Sequence, residues 1–161
     1  MKKDNVVRVG FGYDIHAFEP GKHIMLGGVK IPFTKKFKAH SDGDVLLHSI
    51  CDAILGAAAL GDIGKHFPDT EKRFANISSL ELLKETVYML ENEGFEVQNI
   101  DATIVMEKPF LQTHIPQMRK NIAECSHLSI GAVSVKATTS EKTGSVGREE
   151  AAEVYAVVLI N

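Results

Sequence analysis

The sequence predicts an α+β fold of the α/β-sandwich kind, with a four-to-five-stranded mixed sheet and helices packed on one face. Three observations lead there. Strand-like segments stand at both ends of the chain, helix-period segments fill the middle, and the resulting order is ββααβαββ. No internal repeat, low-complexity tract or Pro/Ser-rich linker interrupts that order, so residues 1–161 are expected to form one domain.

Val6 to Gly12 reads as the first strand and His23 to Ile31 as the second, with Gly27-Gly28 marking a bulge or turn. Asp42 to Leu60 reads as a helix. Its apolar positions Val45, Leu47, Ile50, Ile54 and Leu55 cover much of its surface, which predicts deep burial. Ser78 to Glu93 is a clearer amphipathic helix: Ser78 or Ser79 suits the N-cap, Glu81 and Glu85 stand near the positive end, and Gly94 is a C-terminal stop. Val97 to Met106 reads as a strand. Pro116 to His127 reads as a helix with Pro116 in its first turn and Gly131 just beyond its end. Ala132 to Ala137 and Ala152 to Ile160 read as closing strands.

A chain of 161 residues can bury a core without disulfides or a structural metal. Its two cysteines, Cys51 and Cys125, sit in apolar helix-like stretches and read as buried reduced thiols. The net charge of −3 provides no basic footprint for nucleic acid. An anionic substrate must therefore be held by local donors or a bound cation. No apolar run reaches the length of a membrane span, and Met1-Lys2-Lys3-Asp4 leads into strand-like residues without a signal-peptide core. The expected location is the cytoplasm, with a plastid-type organelle as the other compartment.

Four polar constellations carry the chemistry. In Asp14-Ile15-His16, residues two apart on an extended backbone point the same way, so a carboxylate and an imidazole can converge on a metal; the tripeptide also fits a turn-capping aspartate beside a surface histidine. Asp44, His48 and Asp52 fall at i, i+4 and i+8 of an apolar helix, where polar side chains are expensive without partners. Asp14, His16 and His48 would make an Asp-His-His set with one position open, a catalytic rather than structural zinc arrangement. Asp44 and Asp52 are then candidates to orient the ligands from behind, and Asp52 equally fits a buried salt-bridge acid. The start of that helix, with His40 and Ser41, suits an anion as well as ordinary capping by Ser41 or Asp42. Gly61-Asp62-Ile63-Gly64 and Phe67-Pro68-Asp69 read as a loop. Lys136 to Lys142 closes a strand with three hydroxyls, an acid and two cations; it suits phosphate oxygens, and Glu141 a hard divalent cation, though a polar surface loop has the same composition. Together these signals point to phosphoryl chemistry. Taken alone, the residues also allow a zinc-dependent phosphoesterase or a non-enzymatic structural-zinc domain.

Longer motifs narrow this. Val9 to Phe18 (VGFGYDIHAF), Ala39 to His48 (AHSDGDVLLH), Gly56 to Gly64 (GAAALGDIG), Phe67-Pro68-Asp69, His114 to Arg119 (HIPQMR) and Val135 to Thr139 (VKATT) resemble, in order and over nearly the whole chain, the 2-C-methyl-D-erythritol 2,4-cyclodiphosphate synthase family. The resemblance implies a phosphorus–oxygen lyase of the non-mevalonate isoprenoid route that closes a cyclic diphosphate and releases CMP. It implies one Zn²⁺ per subunit on Asp14, His16 and His48, with Ile15 and this segment also touching substrate. His40 and Ser41 would contact phosphate, and His40 and Thr139 would act in catalysis. Asp62, Ile63 and Gly64 would hold the ribose, and Phe67, Pro68, Asp69, Thr70 and Glu71 would form part of a lid. Met106, Glu107, Lys108, Pro109, Phe110, Leu111 and Gln112 would form the cytosine pocket. Thr138, Thr139, Ser140 and Glu141 would cradle the diphosphate, with Glu141 on a Mg²⁺ or Mn²⁺ ion. The family assembles as a homotrimer with active sites between subunits. Two departures stand out. Phe110 occupies a place where relatives often have lysine, and Ser145 one where some have a phenylalanine lining a cavity on the trimer axis, near the retained Arg148. Ser145 and Tyr155 are expected to weaken any binding of a prenyl diphosphate in that cavity.

Overall fold

The computed structural model describes residues 6–68 and 70–161. The chain runs through β1 (Arg8–Pro20), β2 (His23–Leu26), β3 (Val29–Pro32), β4 (Lys35–Phe37), α1 (Val45–Ala57), α2 (Ile63–His66), α3 (Ser79–Asn92), β5 (Val97–Val105), α4 (Ile115–Cys125), β6 (Val133–Thr138), α5 (Gly144–Gly147) and β7 (Ala151–Ile160). Single turns of tighter helix stand at Lys72–Phe74 and Ile130–Ala132. A five-stranded mixed sheet has the order β4-β1-β7-β5-β6, in which β5 and β6 are parallel and the other pairs antiparallel. β2 and β3 form a separate hairpin, turned by Gly27 and Gly28 at φ 59° and 70°, a left-handed geometry that glycine adopts without steric cost.

The expected mixed sheet is present, and several boundaries move. β1 does not stop at Gly12. It pairs with β7 from Arg8↔Ile160 to Ala17↔Ala151 and then with β4 from Phe18↔Phe37 to Pro20↔Lys35, so Asp14 and His16 lie inside the strand. The polar residues break the apolar run that marks a strand in sequence, while the backbone ladder continues through them. The central helix is shorter than Asp42 to Leu60, because Asp44 is its N-cap: the carboxylate accepts from Leu47 N at 3.1 Å. Ser41 and Asp42 therefore do not cap it. The helix over Ser79–Asn92 has Ser78 as its cap and Gly94 at φ 80° just beyond its end, as its sequence signals require.

The core lies between α1 and the sheet. Leu46, Leu47, Ile50 and Ile54 are fully buried, each worth roughly 1.5–3 kcal/mol of transfer free energy. α1 packs on β1 and β7, α3 lies against α1, and α4 against β6. Gly10 and Gly12 let the α1 backbone approach β1: a Cβ on either would stand 1.8 or 1.9 Å from the carbonyl oxygens of Ala53 and Ser49. Ser49 also donates from Oγ to the carbonyl of Val154 at 3.3 Å, tying the helix to β7. The other face of β1 and β7 is apolar and exposed, carrying Val9, Phe11, Tyr13, Ile15, Tyr155 and Val157. Cys51 and Cys125 are buried free thiols.

Candidate active site

Alternation along β1 turns Asp14 and His16 to the α1 side, and the close α1–β1 approach brings His48, one residue before Ser49, against them. Asp14 Oδ2 lies 3.0 Å from His16 Nε2 and 3.4 Å from His48 Nδ1. The two rings stand edge to face with centroids 5.1 Å apart. All three candidate ligand atoms fall within 4.8 Å of one another. Tetrahedral zinc with bonds near 2.1 Å separates its ligands by roughly 3.4 Å, so a carboxylate and two imidazoles so placed fit the ion with little adjustment.

The far sides of both rings are committed. His16 Nδ1 lies 3.0 Å from the carbonyl oxygen of Gly43, which can only accept, so that nitrogen carries a proton and Nε2 faces the centre. His48 Nε2 lies 2.9 Å from Ser79 Oγ and 3.3 Å from Ser41 Oγ. Burial disfavours charge on Asp14, yet hydrogen bonds to His16 and His48 and their charges hold its carboxyl at about 2, below the ordinary 3.8. Burial likewise opposes protonation of His16, but the Asp14 hydrogen bond and charge prevail and raise its pKa above 6.5.

Neither Asp44 nor Asp52 is hydrogen-bonded to an imidazole, which corrects their expected place behind the ligands. Asp44 is fully buried and accepts from Gly27 N at 2.9 Å, Gly28 N at 2.7 Å and Leu47 N, joining the β2–β3 turn to the start of α1. Burial pushes its carboxyl up against the pull of those donors. Asp52 accepts from Ile63 N at 2.7 Å and fixes the start of α2; burial raises its carboxyl too. In a helix cap and a loop anchor the acids find backbone partners, which the i, i+4, i+8 spacing did not reveal.

His40 and Ser41 adjoin the triad. With Asp14, His16, Lys38, Ala39 and His48 they line a pocket of about 240 Å³. A smaller one beside it, about 90 Å³, adds Ile63, Phe67, Phe74 and Ile77, so two of the expected ribose and lid residues reach the same place. Asp62 caps α2 by accepting from Lys65 N at 2.9 Å, and Gly64 lies in that helical turn. Phe67 is buried against the Phe74 ring, with centroids 5.4 Å apart, and Glu71 pairs with Arg73. Pro68 is half-buried and Thr70 exposed. Asp69 lies outside the described residues.

A third pocket, of about 390 Å³, is lined by Met106, Glu107, Pro109, Phe110, Leu111 and Gln112 together with Lys136, Thr138 and Thr139. It unites the expected cytosine and diphosphate segments. Lys108 turns away to pair with Glu149 at 3.1 Å. The two triad-side pockets and this one share no lining residue. Thr139 Oγ1 donates to Glu141 Oε1 at 3.0 Å. Glu107, which sequence reasoning placed only among cytosine contacts, accepts through Oε1 from Ser140 N at 3.0 Å and Lys142 N at 3.3 Å, while the Ser140 hydroxyl lies between Oε1 at 3.1 Å and the nearer carbonyl of Thr143 at 2.8 Å. It thereby binds a loop in which Glu141 and Lys142 have φ of 54° and 60°. Ser145 is half-buried in α5, and Arg148 is paired with Glu150 at 2.9 and 3.0 Å.

The YgbB family model matches residues 7–161. The chain belongs to the YgbB family. A relative from Syntrophobacter fumaroxidans, named 2-C-methyl-D-erythritol 2,4-cyclodiphosphate synthase, is 55% identical over 96% of this chain and 97% of its own. One of the same name from Thioalkalivibrio sulfidiphilus is 52% identical over 96% of each. Among solved structures, IspF of Plasmodium falciparum in complex with CDP superposes with a TM-score of 0.84 at 33% identity, covering 98% of this chain and 97% of that one. The bifunctional IspDF of Campylobacter jejuni superposes at 0.92 with 44% identity, and the chain spans 42% of its length. Among the described residues of this family member, no helix is long and apolar enough to cross a membrane.

Proposed function

We propose that this chain is a single catalytic domain that converts 4-diphosphocytidyl-2-C-methyl-D-erythritol 2-phosphate to 2-C-methyl-D-erythritol 2,4-cyclodiphosphate and CMP. One observation carries the reading: an Asp14–His16–His48 metal triad beside His40 and Ser41, in a chain whose family match runs over residues 7–161.

The substrate's 2-phosphate oxygen attacks the β-phosphorus of the diphosphate, a P–O bond forms, and CMP leaves with the electron pair of the broken one. No protein nucleophile is needed; positioning and charge compensation are the levers of phosphoryl transfer. Asp14, His16 and His48 would hold zinc, which supplies positive charge to a phosphate oxygen when bound. His40 and Ser41 donate to phosphate oxygens at the pocket they share with the triad. Ile63 and Phe67 close its far side, with Asp62 and Gly64 beside the ribose. The pocket of Met106 to Gln112 receives the cytosine; that the Plasmodium falciparum relative was solved as a CDP complex supports a cytidine ligand. Phe110, in place of the lysine common in relatives, leaves recognition to backbone groups. Thr138, Thr139 and Glu141 face the diphosphate, with Glu141 reaching Mg²⁺ or Mn²⁺.

The assembly is a homotrimer in which the triad of one subunit faces the cytosine pocket of the next. Two features support it: the separate linings of the two pockets, and the exposed apolar face of β1 and β7.

A phosphorus NMR assay with purified protein, Zn²⁺, Mg²⁺ and the linear substrate tests the reading. Cyclic diphosphate and CMP should form with wild type and not with His48→Ala. Linear phosphate products would identify a hydrolase instead.

A further inference from the structure

We propose that Ser79 and Asp42 are positioning residues for the metal centre, holding the His48 imidazole by its far nitrogen so that Nδ1 points at Asp14 and His16. The inference rests on the reading of Asp14, His16 and His48 as metal ligands.

The hydrogen-bond directions carry it. Ser79 Oγ donates to Asp42 Oδ1, and the carboxylate can only accept. The serine's one hydroxyl proton is thereby used, so at 2.9 Å from His48 Nε2 its oxygen must accept from that nitrogen. The relay runs His48 Nε2–H to Ser79 Oγ–H to Asp42 carboxylate. Without metal, Nδ1 can donate to Asp14 Oδ2, 3.4 Å away; with the Nε2 proton held by the relay, it is the Nδ1 lone pair that zinc would take. A ligating imidazole with its other N–H donated to an acceptor chain ending in a carboxylate is fixed in tautomer and ring orientation, and is made a better donor to the metal.

The placement is not explained by helix capping. Ser78, not Ser79, is the cap of α3, accepting from Leu80 N at 3.3 Å. Asp42 Oδ2 accepts from Ser79 N at 2.9 Å, and that backbone bond holds the start of α3 whatever side chain residue 79 carries. The Ser79 hydroxyl is an additional group, fully buried and directed at His48. Ser41 Oγ, the other acceptor near Nε2, is farther at 3.3 Å and already accepts from Gly43 N at 3.2 Å. Through this relay α3, which supplies no member of the triad, reports to the metal site.

The test compares wild type, Ser79→Ala, Ser79→Thr and Asp42→Asn with His48→Ala. Zinc affinity is read by competition with a chromogenic chelator, histidine tautomers by ¹⁵N NMR, and folding by the melting temperature of the metal-free protein. Ser79→Ala should bind zinc roughly 10–100-fold more weakly and lose the single Nε2–H tautomer of His48. Ser79→Thr, which restores the hydroxyl, should recover both. In Asp42→Asn the amide N–H can donate to Ser79, whose hydroxyl then turns to His48 and favours the Nδ1–H tautomer that cannot ligate; zinc affinity should fall here too, which keeps the test open if Ser79→Ala folds poorly. Wild-type zinc affinity and an unchanged His48 tautomer in folded Ser79→Ala, whatever its melting temperature, would overturn the proposal. Wild-type affinity in His48→Ala is a separate outcome: it would remove the ligand reading, and the relay with it.

Discussion

A Cβ on Gly12 would stand 1.9 Å from the carbonyl oxygen of Ser49. That contact sets the spacing between β1 and α1. Asp14 is two residues along the strand and His48 one residue before Ser49 on the helix, so the same spacing sets the 3.4 Å between their side chains. Gly12→Ala must push the helix off the strand, since the obstacle is backbone and cannot rotate away. The expected loss is about 3 kcal/mol of folding free energy, with zinc uptake weakened in the molecules that remain folded. Denaturant melts and metal analysis of the folded fraction check it; a wild-type melt would mean that α1 and β1 can part without cost.

The Asp14–His16 pair makes the metal-free protein sensitive to pH. The His16 pKa is raised above 6.5 in the folded chain, chiefly by Asp14 prevailing over burial. Its contribution to stability is therefore complete below 6.5 and is lost as pH rises through the raised value. Asp14, lowered to about 2, contributes above its ordinary 3.8 and loses this as pH falls toward about 2. In the zinc-loaded protein the metal takes the place of the proton on His16. The gap between zinc-loaded and metal-free melting temperatures should thus widen on going from pH 6 to above the His16 value. A gap that stays constant would mean that His16 does not titrate in this window.

Glu107 gathers two backbone donors from the loop of Ser140 to Lys142 on one carboxylate oxygen. Those donors are therefore engaged with protein, and in the proposed reaction they would serve the diphosphate indirectly, by keeping Glu141 and Lys142 in their left-handed conformation. Glu107→Ala should free the loop and weaken CDP affinity by about tenfold, roughly 1.4 kcal/mol, with less effect on zinc affinity, because the loop and the triad line different pockets. Calorimetric titration of CDP and zinc separately checks both halves. Loss of zinc binding alone would show that the loop serves the triad.

Much of this was legible in the sequence where side-chain chemistry and local pattern agree. Asp14, His16 and His48 converge because strand alternation and a buried apolar helix leave few other arrangements. The helix over Ser79–Asn92 begins and ends at its own capping signals. What stayed hidden depends on contacts between distant segments. β4 has only three residues, and its pairing with the end of β1, not its own pattern, makes it a strand. Asp44 looks like a member of the His48 face, yet serves as a cap that also binds Gly27 and Gly28. Ser79 reads as one more helix-start serine, because its partner His48 is 31 residues away. Glu107 sits 33 residues from the loop that it holds.

The outer face of β1 and β7 gives the prediction that separates assembly from chemistry. Phe11 is 62% exposed and Tyr155 38%, and together with Val9, Tyr13 and Val157 they form a continuous apolar surface on two paired strands. Their rings touch, with Phe11 and Tyr13 centroids 6.4 and 5.2 Å from that of Tyr155. They lie on the side of the sheet away from α1, whereas Asp14 and His16 face it, so a charge placed here leaves the triad's own contacts intact. In the proposed trimer this face is covered by neighbouring copies, and burying a carboxylate there without a partner costs several kcal/mol per subunit. Phe11→Glu should therefore fall from a trimer to monomers in light scattering at micromolar concentration while keeping its fold. Turnover should fall with the trimer, because the triad and the cytosine pocket would no longer face each other across a subunit boundary. A Phe11→Glu protein that stays trimeric would place the interface elsewhere, and a monomer with full turnover would place the whole reaction within one chain.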